Sequence, residues 1–316
     1  MHRLDPSIWQ GRVDALEDES GRRWHQAMRP LEATTPVGTT VLIGFACDAG
    51  VTRNQGRPGA AEGPQALRRA LRNLPLHDCT NLADAGDIVC IDDALEAAQS
   101  ELAAATAGQL DAGRFPLVLG GGHEVAFGSF SALARHLAAR ETSPRIGVVN
   151  FDAHFDLRRD ERATSGTPFR QIAEDCAARG WPFSYACLGV SRYANTQALF
   201  ERARRLNVLW REDIQCAAPE TAAALAGFIA GVDHVYLTVC LDVLPAAVVP
   251  GVSAPAARGV ELAVLEPLVD AVCASGKVRV ADLAELNPRL DLDGRSAAVA
   301  ARLAARIADG VARASR

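Results

Sequence analysis

The chain has 316 residues, 49% hydrophobic, 22% charged and 5% aromatic, with a formal net charge of -5 and eight cysteines. This balance excludes a disordered or collagen-like chain and argues against an electrostatic nucleic-acid binder. The length suits about two domains of roughly 150 residues or one large α/β domain, either able to bury a sizeable core. The opening MHRLDPSIWQGRVD lacks a signal peptide's apolar stretch, and the cysteines form no C-x-x-C pair. No window holds the roughly 20 apolar residues that span a bilayer. Reduced thiols in a cytoplasmic protein are the expectation.

In chain order, β-rich apolar runs are predicted at 41–47, 117–119, 146–151, 185–190, 207–210, 235–241 and 278–283. Segments of helical period lie at 63–74, 94–109, 124–139, 196–206, 220–230 and 295–312. Continuous apolar strands alternating with helices imply an α/β fold: a single-domain, three-layer, doubly wound sandwich with a mostly parallel sheet. No Pro/Gly/Ser-rich linker, repeat or low-complexity tract divides the chain, and residues 1–40 read as an N-terminal extension packing on the domain. Ligands in such folds bind beyond the carboxyl ends of the strands. Polar clusters fall there, at 48–64, 120–124, 152–158, 191–196, 240–245 and 282–288.

The segment NFDAHFDLR places Asp152, His154 and Asp156 at alternate positions, so on an extended strand end they share one face. Carboxylates crowded in this way repel one another unless a cation compensates. A solvated loop with a capping Asp is the plain alternative, and it fits poorly directly after the apolar run IGVVNF. GGGHE follows another apolar run, where glycines allow a sharp turn. A phosphate cradle would need G-x-x-x-x-G-K-[ST], which is absent. His123 alone would read as a structural histidine; beside the Asp–His–Asp cluster it reads as a ligand. Asp242, alone a turn residue, ends a third apolar run. Two histidines and three carboxylates favour Mn²⁺ or a similar ion over a thiolate-type zinc site. Five donors over-supply one ion, so two ions sharing a bridging water are expected.

GGGHE, NFDAHFD and the later strand-end aspartate resemble the metal motifs of the arginase/agmatinase ureohydrolases. GVTRNQGRPGAAEGPQALR, SGTPFRQI, GVSRYANT, LDVLPAAVVPGVSAPAARGV and AELNP resemble the formimidoylglutamase branch of that family, from about Val41 to the end. The resemblance implies an arginase-like fold and hydrolysis of N-formimidoyl-L-glutamate to L-glutamate and formamide, in histidine degradation. The nucleophile would be a hydroxide bridging two Mn²⁺ per subunit. His123, Asp152 and Asp156 would bind one ion, and His154, Asp152 and Asp242 the other. Asp156 would pass a proton to the departing amine, and Glu285 would pair with the cationic nitrogens of the substrate. That substrate carries two carboxylates, which arginine forks suit. Arg53, Arg57, Arg158, Arg192 and Asn195 are the candidates, Arg158 and Arg192 the preferred pair. Phe169 stands near the place of an arginase proton-shuttling histidine, which disfavours arginase proper. The expected partner is a small-molecule substrate, with no nucleic acid or membrane, and family habit implies a homo-oligomer.

One position departs from the family pattern. An Asp-x-Asp pair is expected at the last metal-bearing strand, its first Asp bridging the ions, and this chain reads Cys240-Leu241-Asp242. Three readings stay open. A Cys240 thiolate ligates and shifts preference toward zinc, iron or cobalt; the thiol stays protonated and one metal position is weak; or Cys240 merely packs. The alternatives in function are a ureohydrolase acting on a guanidino acid and a metal-deficient, catalytically weak paralogue.

Overall fold

The structure is a computed structural model, and it describes residues 6–316. Its strands are β1 (Met28–Pro30), β2 (Thr40–Ala46), β3 (Leu82–Val89), β4 (Phe115–Leu119), β5 (Ile146–Phe151), β6 (Ser184–Val190), β7 (Leu209–Glu212), β8 (His234–Cys240) and β9 (Val278–Ala284). Its helices are α1 (Trp24–Ala27), α2 (Ala49–Arg53), α3 (Gly63–Leu71), α4 (Leu95–Asp111), α5 (Val125–Ala138), α6 (Pro168–Arg179), α7 (Gln197–Arg205), α8 (Pro219–Ala230), α9 (Leu262–Ala274) and α10 (Arg295–Ala314). The strands form one sheet in the order β1-β3-β2-β4-β9-β8-β5-β6-β7. Every ladder in it is parallel.

Parallel strands covered by helices on both faces bury both sets of side chains, which explains the unbroken apolar runs. One face packs Leu67 and Leu71 of α3, Leu225 and Ile229 of α8, Leu265 and Val269 of α9, and Leu303 and Ile307 of α10. The other packs Leu102 of α4, Phe130 and Leu133 of α5, Phe169 and Ile172 of α6, and Leu199 and Phe200 of α7. This is a doubly wound α/β sandwich. No helix among the described residues is long and apolar enough to cross a membrane. The cysteines are all free thiols, and only Cys90 is not buried.

Six elements escape the sequence pattern: β1, β3, α1, α2, α6 and α9. β3 reads LADAGDIV, and two aspartates disguise a strand. Their charge is met by Arg68 of α3, 1% exposed, which forks onto both oxygens of Asp84 at 2.7 and 2.9 Å and reaches Asp87 at 2.5 Å. Indole Nε1 of Trp9 donates to the same Asp84 at 2.9 Å. The segment before Val41 is thereby fastened to the sheet, and β1 adds the edge strand beside β3. Residues 1–5 of that predicted extension lie outside the described residues. Helix α9 contains Pro267, which costs it a backbone donor.

Removing one member of a buried ion pair leaves the other charge without compensation. Asp84→Ala should therefore lower stability by about 3–5 kcal/mol, read as a lower denaturant midpoint at unchanged slope.

Candidate metal centre

Four neighbouring strands, β4, β9, β8 and β5, end side by side, and each delivers donors to one cavity. His123 follows β4, Glu285 follows β9, Cys240 and Asp242 close β8, and Asp152, His154 and Asp156 follow β5. The register Phe151↔Val239, Cys240↔Ala284 and Leu119↔Leu283 brings these ends level. The cavity is about 300 Å³ and is lined by His123, His154, Asp156, Cys240, Asp242 and Glu285, with Arg57, Arg158 and Asn195 on its other walls.

The glycines of GGGHE make this approach possible. A Cβ on Gly121 would lie 1.8 Å from the carbonyl oxygen of Cys47, which is backbone and cannot swing away. Around it the strand ends are tied: Gly122 N–H donates to Cys47 O at 2.9 Å and Glu285 N–H to Gly121 O at 2.8 Å. His123 N–H in turn donates to Oε1 of Glu285 at 2.9 Å.

Nδ1 of His123 lies 2.9 Å from Oδ2 of Asp152 and 2.9 Å from Oδ2 of Asp156. Despite these distances it makes no aligned hydrogen bond to either oxygen. Such geometry arises where lone pairs converge on a shared point rather than on one another. Nε2 of the same ring meets the Thr238 hydroxyl at 3.1 Å, which fixes Nδ1 as the inward nitrogen. Nδ1 of His154 lies 3.1 Å from Oδ2 of Asp242 and 3.5 Å from Oδ1 of Asp152. Two sets emerge whose ligand atoms lie within 4.8 Å of one another: His123, Asp152 and Cys240, and Asp152, His154 and Asp242. Oδ1 of Asp242 and Oε2 of Glu285 are buried without a protein partner. Oxygen, nitrogen and sulphur donors with unspent lone pairs, converging on two adjoining points, fit a pair of divalent cations.

The electrostatics agree. Burial alone would raise Asp152, yet the imidazoles of His123 and His154 hold it well below its ordinary value. Burial works against a charged His123, but Asp152 and Asp156 raise it well above. Asp156 is pushed up to about 6 by burial and by Asp152, and Glu285 to about 8 by burial, Glu124 and Asp242. Protons thus gather where cations would otherwise balance the carboxylates.

Asn150 orients Asp152, its amide donating to Oδ2 at 3.1 Å and to the Tyr185 hydroxyl at 3.0 Å. Phe169 packs edge-on to His123 at 5.3 Å and stacks on Tyr185 at 4.5 Å, so it walls the histidine rather than shuttling protons.

The predicted substrate contacts divide. Arg57 and Arg158 line the cavity. Arg57 spends donors on Ser253 O and Val252 O, whereas Arg158 forms no ion pair among the described residues. Asn195 lines the cavity, but its polar atoms are engaged with Phe155 N, Ala153 O and Ser191 O. Its place is loop support rather than substrate contact. Two expectations are corrected. Arg53 turns away, buried in pairs with Asp93 and Glu96 at 2.7 Å each. Arg192 forks onto Glu212 at 2.5 and 3.0 Å and lies over the Phe200 ring. Neither lines the cavity.

Two functional neighbours went unpredicted. Thr238 shares the face of Cys240 two residues on, and its hydroxyl inside the apolar run HVYLTVC was the available signal. Glu124 looked like part of the metal motif but points the other way. It accepts from Gly50 N–H at 2.9 Å and from the Cys47 thiol at 3.5 Å, so it holds the 48–57 loop against β4. A larger groove of about 630 Å³ beside α10 has no such convergence, its arginines being paired with Glu266, Asp270 and Asp78.

Residues 39–309 match the model of the arginase family. This chain belongs to the arginase family. Formimidoylglutamase of Ralstonia nicotianae is 61% identical over 318 residues, covering 99% of this chain and 98% of that protein. Formimidoylglutamase of Aeromonas hydrophila is 58% identical, covering 95% and 96%. Among solved structures, formiminoglutamase of Trypanosoma cruzi with Mn²⁺ superposes with a TM-score of 0.75 at 29% identity, over 87% of this chain and 94% of that one. The fold of Bacillus subtilis formimidoylglutamase matches with a TM-score of 0.82 at 22% identity, over 93% of each chain. The fold is arginase-like. The guanidino-acid and metal-deficient alternatives are not favoured by relatives that carry the name formimidoylglutamase.

Two outcomes follow from this geometry. Gly121→Ala should cost about 1–3 kcal/mol through overpacking and lower metal content as His123 is displaced, checked by thermal melting and elemental analysis. Burial pushes Glu124 from 4.5 up to about 7, with Asp48 reinforcing the rise and the Gly50 bond opposing it. Between those values the unfolded chain has lost a proton that the folded one keeps, so this carboxyl makes stability fall as pH rises from about 4.5 to about 7. Glu124→Gln keeps the acceptor and should remove a few kcal/mol of that slope. Denaturant midpoints of chelator-treated protein at about pH 5 and about pH 8 check it.

Proposed function

We propose that this chain hydrolyses N-formimidoyl-L-glutamate to L-glutamate and formamide. It is a hydrolase of the C–N bond of a linear amidine. The observation that carries the reading is the cavity itself. Metal-type donors and the unpartnered Oε2 of Glu285 share it with the free cation of Arg158. Support comes from relatives at 61% and 58% identity that are named formimidoylglutamase.

An amidine is cationic near neutrality and resists neutral water. Two bound divalent cations would supply an activated water there; Mn²⁺ suits the oxygen-rich set, as in the Trypanosoma cruzi relative. Glu285 receives the amidinium at Oε2 while its Oε1 is held by the His123 amide, which aims the carboxylate. A cationic substrate favours the ionised form of that carboxyl and offsets its burial. Asp156 lines the cavity beside His123, so its carboxylate is placed to take a proton and release it to the departing glutamate amine. The Asn150–Tyr185 pair keeps Asp152 oriented throughout. Arg158 lies at the rim and suits a substrate carboxylate, and Arg57 with Ser253 lines the same wall. A cytoplasmic setting, a role in histidine degradation and a homo-oligomeric assembly belong to the same proposal.

With Mn²⁺ supplied, the purified protein should release formamide from N-formimidoyl-L-glutamate and no urea from arginine. Urea release, or no formamide from a metal-loaded chain, overturns the assignment. Arg158→Met removes a charge-assisted contact to the carboxylate, so KM should rise about 10- to 100-fold with kcat little changed.

A further inference from the structure

Cys240 ends β8 and Asp242 follows it in the next turn, but the two complete different ligand sets. Cys240 closes a set with His123 and Asp152, and Asp242 closes one with His154 and Asp152. Asp152 belongs to both, through Oδ2 toward His123 and Oδ1 toward His154. The two sets are chemically unequal, since the first contains sulphur and the second only nitrogen and oxygen.

We propose that the loaded protein carries a mixed-metal pair: a thiophilic divalent cation at His123, Asp152 and Cys240, and Mn²⁺ at Asp152, His154 and Asp242. The inference rests on the two-cation reading above and deepens it.

Several observations carry it. Among the described residues, Cys240 is the cysteine found in a ligand set. Cys47, Cys79, Cys187 and Cys216 instead donate to Glu124, Thr40, His154 O and Glu212 O, as structural thiols do. Cys240 is 1% exposed and lines the cavity, so its sulphur faces the site and not solvent. His123 is equally buried, and its Nδ1 has no hydrogen-bond partner. Metal–ligand distances of about 2.0–2.3 Å put ligand atoms roughly 3–4 Å apart, so a set spanning less than 4.8 Å closes with small shifts. Soft thiolate selects zinc, iron or cobalt, whereas the sulphur-free position lacks that preference and takes Mn²⁺ where Mn²⁺ is in large excess. On binding, the thiol proton leaves to solvent and the freed sulphur pair forms the metal–sulphur bond.

The test uses the whole chain, stripped by chelator. Titration with Co²⁺ should raise a thiolate-to-cobalt charge-transfer absorption in the near ultraviolet that saturates at one equivalent, while a second equivalent binds without adding to it. Dialysis against Mn²⁺ in large excess over Zn²⁺ should leave one zinc and one manganese per chain by elemental analysis. Cys240→Asp should abolish the absorption and shift the content to two manganese, and Cys240→Ser should lose it as well. Two cobalt ions bound by the wild-type chain with no thiolate absorption overturn the mixed pair and leave the two-cation reading standing. Failure of the folded wild-type chain to retain any metal overturns both. Both decisive readings come from the wild-type protein, so a misfolded variant cannot protect the proposal.

Discussion

The structure turns on negative charge held out of water at one edge of a parallel sheet. Asp152, Asp242 and Glu285 are at most 5% exposed, Asp156 is largely buried beside them, and two imidazoles are the nearest cationic groups. Carboxylates in such surroundings repel one another and lose hydration, and hydrogen bonds alone do not compensate. The supporting residues orient rather than neutralise: Asn150 on Asp152, Thr238 on His123, the His123 amide on Glu285. That division of labour is typical of ligands awaiting a cation. Winding four strands to end level is what assembles the charge, and bound divalent cations would make the assembly tolerable.

Specificity is arranged in layers around this edge. The donors sit on strand ends, which are rigid, while the residues suited to the rest of the substrate sit on loops. The 48–57 loop is anchored from below by Glu124, and Asn195 ties the 153–155 and 191–195 segments together. Arg53 and Arg192 stiffen those same loops through ion pairs with Glu96 and Glu212. Most cationic groups near the mouth therefore hold walls in place, whereas Arg158 lines the cavity with no ion pair among the described residues.

Much of this was readable from the chain, for physical reasons. Strands buried on both faces announce themselves as apolar runs, and the polar residues just after each run are the ones the fold gathers. β3 hid because its aspartates are solved in three dimensions by Arg68, a partner sixteen residues away in sequence from Asp84. α9 hid behind Pro267. The direction a loop arginine takes depends on which carboxylate lies nearest, as Arg192 and Glu212 illustrate. No motif encodes that. Glu124 went unassigned for a related reason: one residue past His123, the start of α5 has already turned its side chain toward Gly50.

Asp156 and Glu285 share a further property, with φ of 46° and 72°. Both hold a backbone shape that glycine or asparagine adopts at lower cost, as does Gln55 at φ 60° on the cavity wall. Conformational preference and chemistry pull in opposite directions at these sites. The cost falls on two carboxylates that face the cavity, where backbone strain of this kind is commonly kept.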